Sequence, residues 1–423
     1  MWDTLNYLVD SLIVAYTLYF AFFVAVGLYT KKCMKPRDAV KRFAVVVPAH
    51  NEQTVLPQLL QNLESLDYPR HLYDIVVVAD NCQDRTAVLA REQGAQVLER
   101  FSELKGKGYA LQYAFEKLGF LSNEADYDAA VVFDADNLVE DNFLKVMNDR
   151  LHQGEQIIQS YVDAKNPQDN WVTSTFSMMF WINDRFNLLS RTNIGLSAVL
   201  MGTGMCISAE AFTAVGWNTR TLTEDLEYSI QALLKGIKTS FAPETRIYDE
   251  KPLSFKASCI QRLRWARGQL AVVQYYVVDL LKKGVRDRSL TALDGGARLF
   301  QLPFLMFAGM ATVLRLSFPG TFASPLFNWA VETIPMLAVV LPAVPYLLPF
   351  IVIVMDRVPR ASVKYVVFFP LFMYSWIPIL YWALFTLGER SWLPTAHSRA
   401  VAKDDLSPRG LYASESYARM NRG

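Results

Sequence analysis

Cysteine is scarce in this chain. The four cysteines among 423 residues, Cys33, Cys82, Cys206 and Cys259, stand far apart with no CxxC pair and no histidine at zinc spacing. That excludes a disulfide-stapled secreted scaffold and a structural zinc module. A dominant charge is missing too. With 42 basic and 41 acidic residues, no global field draws the chain to nucleic acid, so nucleic acid is not an expected partner. Lys and Arg are absent from the first thirty residues, and no A-x-A site follows them. A cleaved signal peptide needs both, so the apolar start reads as an anchor. Disorder is excluded by 52% hydrophobic residues, while 20% charged residues are too many for a bare membrane bundle. A membrane part and a soluble part in one chain satisfy both numbers.

Uncharged runs place the membrane part. Ser11 to Thr30 is uncharged and about as long as a spanning helix requires. Lys31, Lys32, Lys35, Arg37, Lys41 and Arg42 follow it, which puts that side in the cytoplasm and Asp3 and Asp10 outside. Between Phe43 and about Leu281 no strongly apolar run is long enough to span. Thr333 to Met355 and Tyr365 to Gly388 are uncharged candidates, separated by Asp356, Arg357, Arg360 and Lys364. Leu299 to Leu314 is shorter and crosses only if Arg298 and Arg315 both snorkel; an interfacial helix is the alternative. The basic tail after Glu389 favours an even number of C-terminal crossings, and the basic residues between the last two runs favour an odd one. The expected layout is an anchor over 1–32, a cytoplasmic catalytic domain over 43–257 and an amphipathic interface helix over 258–290. Two or three spans over 291–388 and a basic tail over 389–423 complete it.

The soluble part alternates strand and helix. Apolar runs at Phe43–Pro48, Asp74–Ala79, Gln96–Leu98 and Ala129–Phe133 read as buried strands, and the segments between them carry helical periodicity at 52–66, 84–93 and 109–118. Repeated βα units predict an α/β domain with a parallel sheet covered on both faces. Ligands bind beyond the carboxyl ends of such strands, where His50-Asn51-Glu52, Asp80-Asn81 and Asp134-Ala135-Asp136 fall.

Five segments carry chemistry. Asp134 and Asp136, two apart in extended backbone, can share a hard cation such as Mg²⁺ or Mn²⁺ together with substrate phosphates. A solvated turn is the plain alternative. Asp80 at a strand exit suits a base or ribose, and Asp84 suits a helix cap. Lys107 in Lys105-Gly-Lys-Gly-Tyr109 offers a point charge and pliant backbone to a phosphate, though no Walker A pattern is present. In Thr223-Glu-Asp-Leu-Glu227, Thr223 reads as a cap and Asp225 as a general base for a sugar hydroxyl. In Gln261-Arg-Leu-Arg-Trp265, Arg262 and Arg264 read either as membrane-surface charges or as diphosphate ligands, with the indole for stacking on a sugar.

Taken in order, PAHNE, ADNCQDRT, KGKG, DAD, TED and QRLRW resemble the membrane-integrated family 2 glycosyltransferases, the group of cellulose, chitin and hyaluronan synthases. The resemblance covers about Phe43 to Gln269. It implies a GT-A (Rossmann-like) fold between an N-terminal transmembrane helix and a C-terminal transmembrane region. It also implies an inverting hexosyl- or N-acetylhexosaminyl-transferase with a UDP-sugar donor and Mg²⁺ or Mn²⁺. Through it Asp80 looks like the nucleotide-binding aspartate, Asp134 and Asp136 like the metal and diphosphate site, and Asp225 like the base. Gln261, Arg264 and Trp265 resemble the QxxRW of processive members, and Glu52 and Lys107 fall in with the donor-binding residues. Trp392-Leu-Pro-Thr395-Ala-His397 resembles a gating loop, and Gly202-Thr-Gly204 an acceptor-lining loop. The expected activity is extension of a polysaccharide, with export through its own helices or those of a homodimer as a further expectation. The alternative is a single transfer onto a lipid or lipid-linked glycan, with membrane lipid as a partner. A third reading, a transporter or receptor with an inactive domain, is disfavoured by the intact carboxylates and charge-free spans. The expected setting is a bacterial inner membrane.

Overall fold

The computed structural model describes residues 2–30, 36–318, 321–322, 324–334 and 337–389. Thr395 and His397, with the whole expected gating segment, lie outside these, as do Lys31, Lys32 and Lys35. Phe43–Ala49 forms the first strand (β1), and its uninterrupted apolar run is explained by burial on both sides. Phe43, Val45 and Val47 enter one core, Ala44 and Val46 the other. Tyr73–Asp80 (β2), Gln96–Arg100 (β3) and Ala129–Val132 (β4) pair in parallel around it, as the alternation predicts. Helices Leu56–Glu64, Phe143–His152 and Trp171–Asn183 cover one face. Lys107–Lys117, Ala209–Val215 and Glu224–Leu234 cover the other. The first helix begins at Leu56 rather than at Glu52, because the Glu52 amide donates instead to Thr86 Oγ1 across the loops, at 2.8 Å.

The sheet continues beyond the parallel half. Leu138–Val139 (β5), Ile157–Ala164 (β6), Met205–Ser208 (β7) and Thr239–Asp249 (β8) extend it to eight strands in the order β3-β2-β1-β4-β7-β6-β8-β5. β7 runs antiparallel to both β4 and β6, and β5 antiparallel to β8, so the sheet is mixed rather than parallel throughout. β6 and β8 pair in parallel, so the antiparallel pairs in this half are those of β7 and β5.

Apolar helices flank this domain. Trp2–Gly27 is one helix, and Thr4–Gly27 is long and apolar enough to cross a membrane. So is Arg360–Phe385. Leu290–Leu299 and Gln301–Ser317 make a third candidate only if their 46° bend belongs to one span. Another helix, Leu337–Met355, lies between these and Arg360–Phe385, where the 333–355 run is expected to span. Two charges expected at boundaries are buried. Asp10 pairs with Arg315 and accepts from the Leu326 amide at 3.0 Å. Asp356 lies in the turn that separates the last two apolar segments, as expected, but it is not solvated. Only 4% exposed, it pairs with Arg185 and accepts from the Tyr161 hydroxyl at 3.0 Å, tying the helix before it to the sheet domain. Both burials have one cause: a carboxylate loses its water on packing and takes a guanidinium in exchange.

The 32-residue helix Phe255–Arg286 connects the two regions. Ser254 caps it, its hydroxyl accepting from the Ala257 amide at 3.1 Å. Its flanks carry Ala266 and Leu270 against Trp376 and Leu380, and Val272 and Leu280 against Leu299.

Candidate active site

The exits of β1, β2 and β4 open into one cavity of about 200 Å³ beneath the helix Phe255–Arg286. Glu52, Asp80, Lys107, Asp134, Asp136, Asp225, Gln261, Arg264 and Trp265 all line it, although up to 213 positions of chain separate them. Of the described residues singled out from sequence for donor, cation or catalytic duty, all but Arg262 therefore meet in one place.

On the β2 side, Asp80 is buried and its Oδ1 accepts from Arg100 Nη1 at 2.6 Å and from Asn81 Nδ2 at 3.0 Å. Asn51 and Asn81 both hold positive φ, a conformation that Asn tolerates in tight turns. The two loops are laced together where the Asn51 side chain accepts from the Gln83 amide at 2.8 Å. Asp84 does serve the following helix, accepting from the Thr86 amide at 3.0 Å.

At the exit of β4 the Asp134 carboxylate pairs with Lys107, whose ammonium also donates to the Gly202 carbonyl at 2.8 Å. Asp134 is held at its amide by Asn137 Oδ1 and Thr203 Oγ1, both at 3.1 Å. Its other oxygen takes no hydrogen bond from the described residues, and its side chain is 39% exposed to the cavity. Asp136 is buried and accepts from the Glu250 amide at 3.0 Å. Hard oxygens of this kind fit a divalent cation that completes its shell with phosphates and water. Among the described residues there is no group of three or more His, Cys, Asp or Glu that could hold one unaided.

Opposite stands the TED segment. The helix Glu224–Leu234 begins inside it, so Glu224 and Asp225 occupy the first turn, where the helix dipole favours negative charge. Thr223 is not the cap the sequence suggests. It makes no capping bond, and its Oγ1 is buried without a partner because the helix Phe255–Arg286 presses on it at Gly268. Asp225 Oδ1 accepts from the Leu226 amide at 2.8 Å. Burial raises the Asp225 carboxyl above its ordinary range, against the pull of Lys107 and Arg264. Burial and the neighbouring Asp225 charge push Glu224 up to about 7. A raised carboxyl is a better proton acceptor than an ordinary one, which suits Asp225 to the work of a base. Gly202 holds φ +84°, and a Cβ there would sit 3.3 Å from Asp225 Oδ2, so only glycine lets that loop lie against the carboxylate.

Gln261, Arg264 and Trp265 line the cavity from the roof. Trp265 packs its ring against Phe176 and Phe180, at 5.7 and 5.9 Å between centroids, which holds the indole rigid. Arg262 faces away. Fully buried, it donates to Ser375 Oγ at 2.8 Å and lies 4.3 Å from the Phe372 ring, so it is neither a surface charge nor a diphosphate ligand.

Two cavity features escaped the sequence reading. Asp249 ends β8 beside the two aspartates; burial raises it to about 6 and Lys251 pulls it down. Its strand was missed because Pro243 and Glu244 break the alternation and a register shift follows in the pairing. The second feature is an apolar cavity of about 290 Å³ that adjoins the first and shares Phe180, Met201, Thr223, Asp225 and Trp265 with it. Met179, Ile182, Val199, Leu226, Leu302, Leu305 and Met373 are among the apolar residues of its wall. Its walls come from helices joined by no local pattern, so no motif announces it.

Residues 41–268, more than half of the chain, match the model of the family described as glycosyltransferase-like family 2. The chain is a family 2 glycosyltransferase. It is an enzyme that takes a sugar from a nucleotide-sugar donor and passes it to a glycan or lipid acceptor. The probable glycosyltransferase YdaM of Bacillus subtilis is 26% identical over 314 residues, 67% of this chain and 70% of that protein. The beta-monoglucosyldiacylglycerol synthase of Trichormus variabilis is 28% identical over 238 residues, 53% of this chain and 48% of the synthase. The match thus spans about half of that synthase's length. The mannosyltransferase PcManGT of Pyrobaculum calidifontis, solved with GDP-Man and Mn²⁺, superposes with a TM-score of 0.56. It is 19% identical, with 86% of this chain and 99% of that one covered, a likeness of fold. This family 2 glycosyltransferase has relatives that include a lipid glucosyltransferase, and no processive synthase is among those named here.

Proposed function

We propose that the enzyme moves a single sugar from a nucleotide-sugar, a UDP-sugar by resemblance, onto a lipid held in the bilayer, with inversion at the anomeric carbon. One observation carries this reading: the space next to Asp225 on the acceptor side is an apolar cavity walled partly by the C-terminal helices. A sugar polymer presents hydroxyls along its length and would leave such walls unmatched, whereas acyl chains match them. A relative named for glucosylating diacylglycerol supports the same choice over the processive one that QxxRW suggests.

The chain's residues divide the work. Asp80 and Glu52 face the nucleoside, and Lys107 and Arg264 face its diphosphate. Asp134 and Asp136 would hold Mg²⁺ or Mn²⁺, which supplies charge neutralisation on the departing diphosphate. Asp225 takes the proton of the acceptor hydroxyl. The acceptor oxygen then bonds to the anomeric carbon as the bond from that carbon to the diphosphate oxygen breaks, and the nucleoside diphosphate leaves with the electron pair. Trp265 offers its ring to the sugar. In this reading 43–257 is the catalytic unit on the cytoplasmic face of a bacterial inner membrane, beside the basic segment 31–42.

The test uses detergent-solubilised full-length protein, Mn²⁺ or Mg²⁺, a panel of radiolabelled nucleotide-sugars, and added lipids. Label in the organic phase after lipid extraction is the expected result. Label of high molecular weight in the aqueous phase would overturn it in favour of polymer synthesis.

A further inference from the structure

The apolar cavity beside Asp225 contains one cation. Arg298 lies in the last turn of the helix Leu290–Leu299 and lines that cavity, and its Nη1 is buried without a hydrogen-bond partner. The nearest carboxylate on its own helix is already used. Asp294, one turn earlier, accepts from Arg191 Nε at 2.8 Å through one oxygen and from the Tyr19 hydroxyl at 2.7 Å through the other. Among the described residues Arg298 forms no ion pair. The other arginine flanking this apolar run behaves differently, since Arg315 is neutralised by Asp10.

A guanidinium turned inward among Leu299, Leu302, Leu305 and Met373 is unfavourable unless an anion meets it. Charges on apolar helices that face an interior cavity mark ligand sites. The planar fork of N–H donors matches phosphate oxygens in two-point geometry, and Gln301 and Asn183 add neutral amides to the same wall. Asp225 lines the same space, so a ligand there reaches both groups.

We propose that Arg298 is a phosphate subsite, and that the acceptor is a phosphate-bearing lipid whose chains fill the apolar walls while its hydroxyl meets Asp225. This deepens the lipid-acceptor reading and rests on it. The phosphate is the diester of a glycerophospholipid, whose headgroup carries the hydroxyl that meets Asp225; a polyprenyl monophosphate has no such hydroxyl. The bond changes are those given above, with the headgroup hydroxyl as nucleophile and Asp225 as its base.

Equilibrium binding to the full-length protein in neutral detergent tests this without turnover. The probes are radiolabelled dihexanoyl phosphatidylglycerol, a short polyprenyl monophosphate and chain-matched dihexanoylglycerol. Wild type is expected to prefer a phosphate lipid by about tenfold or more, the worth of one charged hydrogen-bonded contact. Arg298→Gln should bring that ratio close to one, and Arg298→Lys should keep part of it. A ratio unchanged by Arg298→Gln, or no preference in wild type, overturns the proposal. Tighter binding of the polyprenyl monophosphate than of the phosphatidylglycerol overturns the glycerophospholipid source. Should Arg298→Gln fail to fold, wild type serves alone: dihexyl phosphate should displace the bound lipid, and its uncharged methyl ester should not. Equal displacement overturns the proposal. Efficient sugar transfer to dihexanoylglycerol with no phosphate preference would sink the Arg298 subsite and leave the lipid acceptor standing. Polymer as the product would sink the lipid acceptor itself.

Discussion

Gly268→Ala is the substitution that most directly tests whether the roof helix sets the catalytic geometry. Gly268 lies one turn beyond Arg264 on Phe255–Arg286, where the helix crosses the TED segment. A Cβ placed there would sit 2.6 Å from Thr223 Cγ2 and 2.9 Å from the Thr223 amide nitrogen. Ordinary contact begins near 3.4 Å; the Thr223 side chain can shift, but its backbone nitrogen cannot, so helix and segment must part by about 0.5 Å. Alanine itself favours the helix over glycine by about 1 kcal/mol, while overpacking costs about 1–3 kcal/mol, a net loss of about 0–2 kcal/mol. Catalysis has no such compensation. A 1 Å misplacement between the base and the bound donor costs on the order of 100-fold in rate, so half of that should cost on the order of 10-fold. Steady-state transfer should therefore show kcat down by about that factor, with the melting temperature in detergent lowered by a few degrees at most. A variant that keeps wild-type kcat would refute the idea that this contact sets the register of Asp225 against Arg264 and Trp265.

Other outcomes follow from the same geometry. Asp225→Asn should abolish transfer while nucleotide binding, followed by calorimetry, persists; joint loss of both would reassign Asp225 to donor binding or structure. Because Asp225 must be charged to act and burial raises its carboxyl, the acid limb of kcat should lie above the ordinary carboxylate range, and the rate should fall as pH drops through that limb. Glu224 acts on stability with the opposite sense. Its folded value of about 7 exceeds the ordinary 4.5, so the folded state is penalised progressively as pH rises between them, and Glu224→Gln should relieve this above pH 7. Asp356→Ala strands the buried Arg185 guanidinium and should cost about 3–5 kcal/mol, read as a lower melting temperature with donor affinity retained in the folded fraction.

Much of this protein is legible in its sequence for identifiable reasons. Residues 43–49 and 129–132 are apolar at every position because both faces of a central parallel strand are dry, and that pattern survives in one dimension. Polar residues that interrupt such runs, at Asp80 and at Asp134 with Asp136, mark the open end of the sheet. The carbon-rich stretches at the two ends announce helices whose outward faces stay apolar, as Leu8, Leu12, Leu18 and Phe22 do. Local chemistry and strict periodicity determined all of this.

Tertiary structure decided what depends on partners distant in sequence. Arg262 and Arg264 differ by two positions in one motif, yet the helix turns one into the buried packing against Phe372 and the other into the cavity. Thr223 reads as a cap, but a glycine 45 residues on brings a helix against it first. Asp10 and Asp356 read as boundary charges and become buried partners of Arg315 and Arg185. Arg298 and Arg315 look equivalent at the ends of one apolar run, and only packing neutralises one and leaves the other facing a cavity. Burial and charge pairing are properties of space between segments, and no spacing within a segment encodes which carboxylate a given arginine will meet.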